Sequence, residues 1–242
     1  MEGMLLIDKP QGWTSFDVVN YVRKIVATSI GKKPRSIKVG HTGTLDPAAS
    51  GLLVLCVGKT YTKRVPMLIK HDKTYEAEIT LGQSSSTGDR DGDIAIDEEP
   101  HHKPVKDEVT RVLASFVGQQ KQTPPQYSAV KVNGKRAYAL ARAGKEAAIK
   151  PRDIVVHDIY LHTYEWPKIT LTCHVGSGTY IRVLAEDIAR ELGTTGYLSA
   201  LRRTVVGAWT IDQALEIDSL TPETIRDNLI KLSSPSRHQQ PT

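Results

Sequence analysis

Gly40-His41-Thr42-Gly43-Thr44-Leu45-Asp46-Pro47-Ala48-Ala49-Ser50-Gly51-Leu52-Leu53 is a small, polar, glycine-rich stretch between two apolar runs, Ile37 to Val39 and Leu52 to Val57. The apolar runs predict buried strands, so the loop is held on rigid elements, where reactive side chains tend to be placed. It carries one imidazole, one carboxylate and three glycines that let the backbone approach a ligand closely. Pro47 fixes its own φ and steers Asp46 out of the helical region, which sets the carboxylate on a defined bend. Taken alone, the loop reads either as an ordinary turn or as a site. The rest of the chain decides between them.

The bulk composition is that of a globular protein: 242 residues, 39% hydrophobic and 24% charged. That length buries a real core, and no apolar run approaches the roughly 20 residues that a bilayer span needs. The N-terminus has no basic region followed by an apolar segment of signal length. Cys56 and Cys173 lie in apolar, strand-like runs without metal-ligand spacing and read as reduced core residues of a cytosolic protein. A net charge of +5 is compatible with a polyanionic partner without requiring one.

Upstream of the loop, Leu5-Leu6-Ile7 predicts a strand that runs into the turn Asp8-Lys9-Pro10-Gln11-Gly12-Trp13. Lys9 therefore falls just past a strand end, as a solvated lysine or as a cation placed to meet a phosphate. Thr14 or Ser15 caps a helix whose apolar face is Val18, Val19, Val22, Ile25 and Val26. Lys32, Lys33, Arg35 and Lys38 make a basic linker leading into the loop. Downstream, Gly58-Lys59-Thr60 fails as a P-loop because Leu53 stands where the motif needs glycine. Tyr61 to Lys70 reads as a short helix. Lys73 to Leu81 alternates as a half-buried strand with Tyr75 on its inner face.

Ser84 to His102 reads as a long acidic loop. Its aspartates are not an EF-hand, since Ile94 and Pro100 occupy the positions for glycine and glutamate. Val105 to Phe116 and Arg136 to Ala143 predict helices, and Asn133-Gly134 a tight turn. Pro124 and Pro125 rule out a central strand there. Ile154 to Tyr164 and Ile169 to Val175 predict strands. Gly176-Ser177-Gly178 opens a helix closed by Gly193, with Ile181, Leu184, Ile188 and Leu192 inward; with Ile181 at the third glycine position it is no dinucleotide fingerprint. Arg182, in the first turn, opposes the helix dipole at a cost of about a few tenths of a kcal/mol, which invites a functional explanation. Leu201-Arg202-Arg203-Thr204 is a further basic cluster, and 233–242 is a polar tail read as disordered.

Five segments together resemble the TruB family of tRNA pseudouridine synthases. They are Asp8-Lys9-Pro10-x-Gly12-x-Thr14-Ser15, the Gly40 to Pro47 loop, Lys73-x-Tyr75 with Leu81-Gly82, Pro124-Pro125-x-Tyr127-Ser128-Ala129-x-Lys131, and Gly178-Thr179-Tyr180-Ile181-Arg182; Leu201-Arg202-Arg203 supports them. The match runs through roughly residues 3 to 220 and moves the loop from turn to site. The resemblance implies an α+β fold with a mixed, mainly antiparallel β-sheet, flanking helices and a central RNA-binding cleft, with 1–232 as the catalytic domain.

It further implies conversion of a uridine in the T-loop of tRNA, position 55, to pseudouridine. The expected protein is a cytoplasmic monomer acting on the T-arm, without cofactor, metal or membrane. Asp46 matches the family nucleophile, Arg182 the arginine that pairs with it, and Tyr75 the tyrosine that stacks on the target base. His41 matches the histidine that enters the space the base leaves, and Tyr180 and Leu201 line the uracil pocket. Lys9, Asp89 and Lys131 fit supporting roles. The 20 to 40 or so residues after the Leu201 cluster are too few for the small C-terminal RNA-binding (PUA) domain of many bacterial relatives. Its missing contacts are expected to weaken tRNA affinity rather than chemistry. A tRNA-folding chaperone is disfavoured by the intact Asp46, Tyr75 and Arg182 set. A dyskerin-like guide-RNA enzyme is disfavoured because it needs the appended domain.

Overall fold

The computed structural model describes residues 1–97 and 102–231. The tail at 233–242 lies outside them. In chain order the strands are β1 (Gly3–Lys9), β2 (Val39–His41), β3 (Ser50–Val57), β4 (Lys73–Leu81), β5 (Gln83–Ser85), β6 (Ile94–Ile96) and β7 (Gly118–Gln122). There follow β8 (Lys131–Val132), β9 (Lys135–Arg136), β10 (Arg152–Glu165), β11 (Lys168–Val175), β12 (Gly196–Val206), β13 (Trp209–Thr210) and β14 (Leu215–Glu216). The helices are α1 (Ser15–Ser29), α2 (Lys59–Thr62), α3 (Val65–Leu68), α4 (Lys106–Ser115), α5 (Ala137–Arg142) and α6 (Ile181–Glu191).

One large sheet runs β14-β1-β3-β12-β4-β11-β10-β7, with β2 on β3 and β13 on β12. The β3–β12 and β1–β14 pairs are parallel and the others antiparallel. The two halves of the sheet are buried differently, and their sequences show why. β1 and β3 are covered on both faces, by α1 and the 217–229 segment on one side and by Tyr61, Leu68 and Val206 on the other. A strand with no wet face reads as a continuous apolar run, as Leu52 to Val57 does. β4 and β11 are covered on one face only, by α4 and α6, so they alternate. Thr14 caps α1, and its hydroxyl and Asp17 form a reciprocal capping box.

Several expectations need correcting. Tyr61 to Lys70 is two single turns, α2 and α3, because Pro66 has no N–H to bond the Thr62 carbonyl and continue the helix. The acidic loop after Ser84 contains a hairpin, β5 with β6. Val105 caps α4 and is 61% exposed rather than buried. The whole of β12 escapes the sequence reading, because register shifts at Leu198/Ala200 and Arg203/Val205 break its alternation. It is the strand that joins the two halves of the sheet. Asn133 and Gly134 both have positive φ, as a type I′ hairpin between β8 and β9 requires.

Candidate active site

The Asp46 loop leaves β2 and returns into β3, and the turn after β1 clasps it. Ser15 Oγ donates to the Leu45 carbonyl at 2.9 Å and accepts from the Leu45 N–H at 2.8 Å. The Gly12 N–H donates to the Pro47 carbonyl at 2.8 Å, and Gln11 Nε2 to the Ala48 carbonyl at 2.9 Å. Gly51, at φ +104°, lets β12 pass: a Cβ there would sit 2.3 Å from the Arg203 carbonyl oxygen. Lys9 belongs to this clasp and is not a phosphate cation. It is fully buried, with Nζ donating to the carbonyls of Pro10 (2.9 Å) and Trp13 (2.7 Å). Burial lowers its pKa to about 8, against the opposing pull of Asp46.

Arg182 comes from the first turn of α6, and its buried guanidinium gathers three segments onto that helix. Its Nε lies 3.1 Å from Asp46 Oδ2 and 3.5 Å from Asp89 Oδ2, Nη1 donates to the Thr87 carbonyl and Nη2 to the Tyr127 carbonyl, both at 2.9 Å. Two carboxylates beside its own helix N-terminus outweigh the helix dipole that made the residue stand out. Asp89 is tied further by Thr87 Oγ1 at 2.6 Å. One cation thus serves two carboxylates, so Asp46 shares its Arg182 partner with Asp89. Burial raises its pKa; Arg182 pulls it down, while Asp89 and Asp91 push it up again.

Tyr75 points from β4 into the same region and is buried. Burial raises its pKa, partly offset by the charge of Arg203 beside it. Arg203 donates from Nε to the Leu52 carbonyl (2.8 Å) and from Nη2 to the Gly43 carbonyl (3.1 Å). It thus joins the loop to β3, opposite Tyr75. The sequence reading saw it only as one member of a basic cluster; its pairing opposite both Tyr75 and Gly51 is set by β12.

A cleft of about 240 Å³, counting its open mouth, is lined by Asp46, Asp89, Arg182, Leu198 and Leu201 among others. His41 stands at the end of β2. Burial, Arg203 and Arg136 all lower its pKa, and its buried Nδ1 has no hydrogen-bond partner among the described residues. Tyr180 caps α6 and stacks on Arg152, 4.9 Å from ring centroid to guanidinium carbon. The buried Gln122 grips it through both backbone groups, at 2.8 and 3.1 Å. Gln122 and Arg152 were not anticipated. Lys131 lies on the exposed β8–β9 hairpin, where no contact joins it to the Asp46 group. Asp46, Tyr75, Arg182, Asp89 and Leu201 are thus brought together, with Lys9 beneath them. Among the described residues one group of three metal-ligating side chains converges (Asp72, His157 and His174), away from this cleft.

The TruB family pseudouridylate synthase N-terminal domain matches residues 29–181. The chain belongs to the TruB family. A tRNA pseudouridine synthase B of Bacillus subtilis is 40% identical over 247 residues, covering 98% of this chain and 77% of that protein. One from Psychrobacter cryohalolentis is 45% identical over 224 residues, 91% of this chain and 60% of that protein. The chain thus spans about three fifths to three quarters of these relatives' length. Among solved structures, a Cbf5-Nop10-Gar1 complex matches with a TM-score of 0.67 at 29% identity, covering 90% of this chain and 53% of that one. An H/ACA RNP bound to a substrate RNA containing 2′-deoxyuridine matches with a TM-score of 0.64 at 26% identity, covering 90% and 52%. The mixed, mainly antiparallel sheet with flanking helices is the pseudouridine synthase fold of this TruB-family chain.

Proposed function

We propose that this chain isomerises a uridine of the tRNA T-loop, position 55, to pseudouridine, with Asp46 as nucleophile. The observation that carries the reading is one carboxylate on a clasped loop, paired at 3.1 Å with a buried arginine beside a buried tyrosine at the mouth of a cleft. Relatives at 40 to 45% identity named as tRNA pseudouridine synthases support tRNA as the substrate over the Cbf5-Nop10-Gar1 and H/ACA RNP complexes matched at 26 to 29%.

Uridine and pseudouridine are isomers. The C1′–N1 bond breaks, a C1′–C5 bond forms, the C5 proton leaves and N1 gains one, so the balance needs no oxidant or reductant. The step needs a nucleophile for C6 of the base or C1′ of the sugar, and an ionised Asp46 supplies the electron pair for either. Arg182 is locked by its two carbonyl contacts, so it holds the carboxylate in place without moving. Tyr75 offers a ring to stack on the uracil and a phenol O–H. The target base leaves its stack at a cost of a few kcal/mol. The unpartnered His41 Nδ1 fits a residue that bonds RNA in the vacated space. The protein acts as a cytoplasmic monomer on the T-arm in this reading.

The test is tritium release from unmodified tRNA carrying [5-³H]uridine, with Asp46→Ala alongside. Release by wild type only, mapped to the T-loop uridine, is expected. Release at the wild-type rate by Asp46→Ala sinks the mechanism, and no release by either protein despite tight tRNA binding favours a chaperone.

A further inference from the structure

On the sheet face opposite the cleft, three side chains that the proposed reaction does not use point at one another. Asp72 precedes β4, His157 lies where β10 shifts register between Val156 and Asp158, and His174 of β11 pairs with Thr74. Lys73, Tyr75, Cys173 and Val175 face the core, so strand alternation turns His174 and Asp72 the other way. One ligand atom from each of the three lies within 4.8 Å of the other two. His157 Nε2 is 3.1 Å from Asp72 Oδ2, and the two imidazoles stand 4.6 Å apart at a 35° tilt.

We infer that Asp72, His157 and His174 bind a divalent transition metal, with zinc(II) the best fit. Two imidazoles and one carboxylate suit zinc; magnesium and calcium prefer all-oxygen sets. Tetrahedral donors about 2.0–2.2 Å from zinc stand roughly 3.3–3.6 Å from one another. The His157–Asp72 pair, at 3.1 Å, opens by a few tenths of an ångström to reach that separation, and the wider atoms close to it by side-chain rotation of about an ångström. Three ligands leave a fourth position for water. The ligands sit on ordered backbone: the Gly207 N–H donates to the Asp72 carbonyl at 2.9 Å, and β10 and β11 are paired over most of their length. Little has to be ordered on binding. An exposed histidine–aspartate pair needs no third partner, whereas the second imidazole completes a chelate. The ion clips the start of β4 to β10 and β11, across the sheet from the cleft. This assignment is independent of the pseudouridine reading.

The experiment titrates ZnCl₂ into tag-free, chelator-dialysed protein against a chromophoric chelator, and repeats the titration with cobalt(II), whose absorption reports four-coordination. One equivalent bound and a four-coordinate cobalt spectrum are expected. His157→Ala, His174→Ala and Asp72→Asn each weaken zinc at least tenfold. His162→Ala does not, although His162 stands on the same face, bonded to Thr172 Oγ1 at 2.7 Å. Zinc raises the Tm of wild type but not of the His157→Ala/His174→Ala double variant, whose Tm in chelator equals wild type's because both rings are at least partly solvent-exposed. No stoichiometric zinc binding by wild type, or equal affinity in the double variant, overturns the site.

Discussion

Replacing Arg182 by lysine keeps the charge and removes the fork, which makes it the sharpest test of how the site is held. The guanidinium serves Asp46, Asp89, Thr87 and Tyr127 in different directions. An ammonium is one point on a flexible stem and cannot reach all four. Keeping the carboxylates, as Coulomb attraction favours, abandons the carbonyls of Thr87 and Tyr127. A buried acceptor left without a partner costs about 1–3 kcal/mol, so the pair costs roughly 2–6. Water entering from the cleft mouth lowers this to about 2–4 kcal/mol, or roughly 4–16 °C in Tm at about 2–4 °C per kcal/mol for a chain of this size. Turnover falls further than stability implies, because the segments that position Asp46 loosen together; a hundredfold to thousandfold loss corresponds to about 2.7–4 kcal/mol of barrier. Single-turnover tritium release with saturating tRNA measures the chemical step, and thermal unfolding measures the fold. An Arg182→Lys protein within threefold of wild-type turnover and 2 °C of its Tm would refute the argument that the fork, rather than the charge, organises the site.

Three further outcomes follow from the same geometry. Asp46→Asn is expected to be inactive yet at least as stable as wild type at neutral pH, with Arg182 still paired to Asp89. A carboxyl whose folded pKa lies above its unfolded value is penalised when ionised, fully so above the folded pKa and not at all below the unfolded one, so the two proteins' Tm values converge toward about pH 4; a divergence there contradicts the assignment. Gly51→Ala must move β12, since its Cβ would meet the Arg203 carbonyl oxygen at 2.3 Å and its φ is +104°; a loss of more than about 3 kcal/mol is expected by denaturant unfolding, and near-wild-type stability would disprove the close approach. Arg203→Met leaves the Leu52 and Gly43 carbonyls without their donor and removes the charge beside the Tyr75 hydroxyl. It should cut kcat at least tenfold with KM nearly unchanged, whereas a pure KM effect would assign Arg203 to RNA binding instead.

Local chemistry made much of this protein legible from the sequence alone. The loop at Asp46 stands out as polar and glycine-rich between apolar strands, with Pro47 setting its carboxylate on a bend, but alone it reads equally as a turn; the motifs spread along the chain make it a site. Tyr75 was read to the correct face because β4 is wet on one side and therefore alternates, and the capped α1 and the Asn133-Gly134 turn were equally local. The motifs further carried the family. What the chain could not reveal depends on partners far apart in sequence. Lys9 looked like a surface cation and is fully buried, because its neighbours are the carbonyls of its own turn and the folded loop above it. Arg203 looks like one charge in a basic cluster, and only the placement of β12 between β3 and β4 sets it beside Tyr75 and the Gly43 carbonyl. Asp72, His157 and His174 have no ligand spacing in sequence, and it is the order of strands in the sheet that brings them together. Side-chain period and turn chemistry are decided within a few residues, whereas burial, charge pairing and convergence are decided by which strands become neighbours, and that is a property of the tertiary structure.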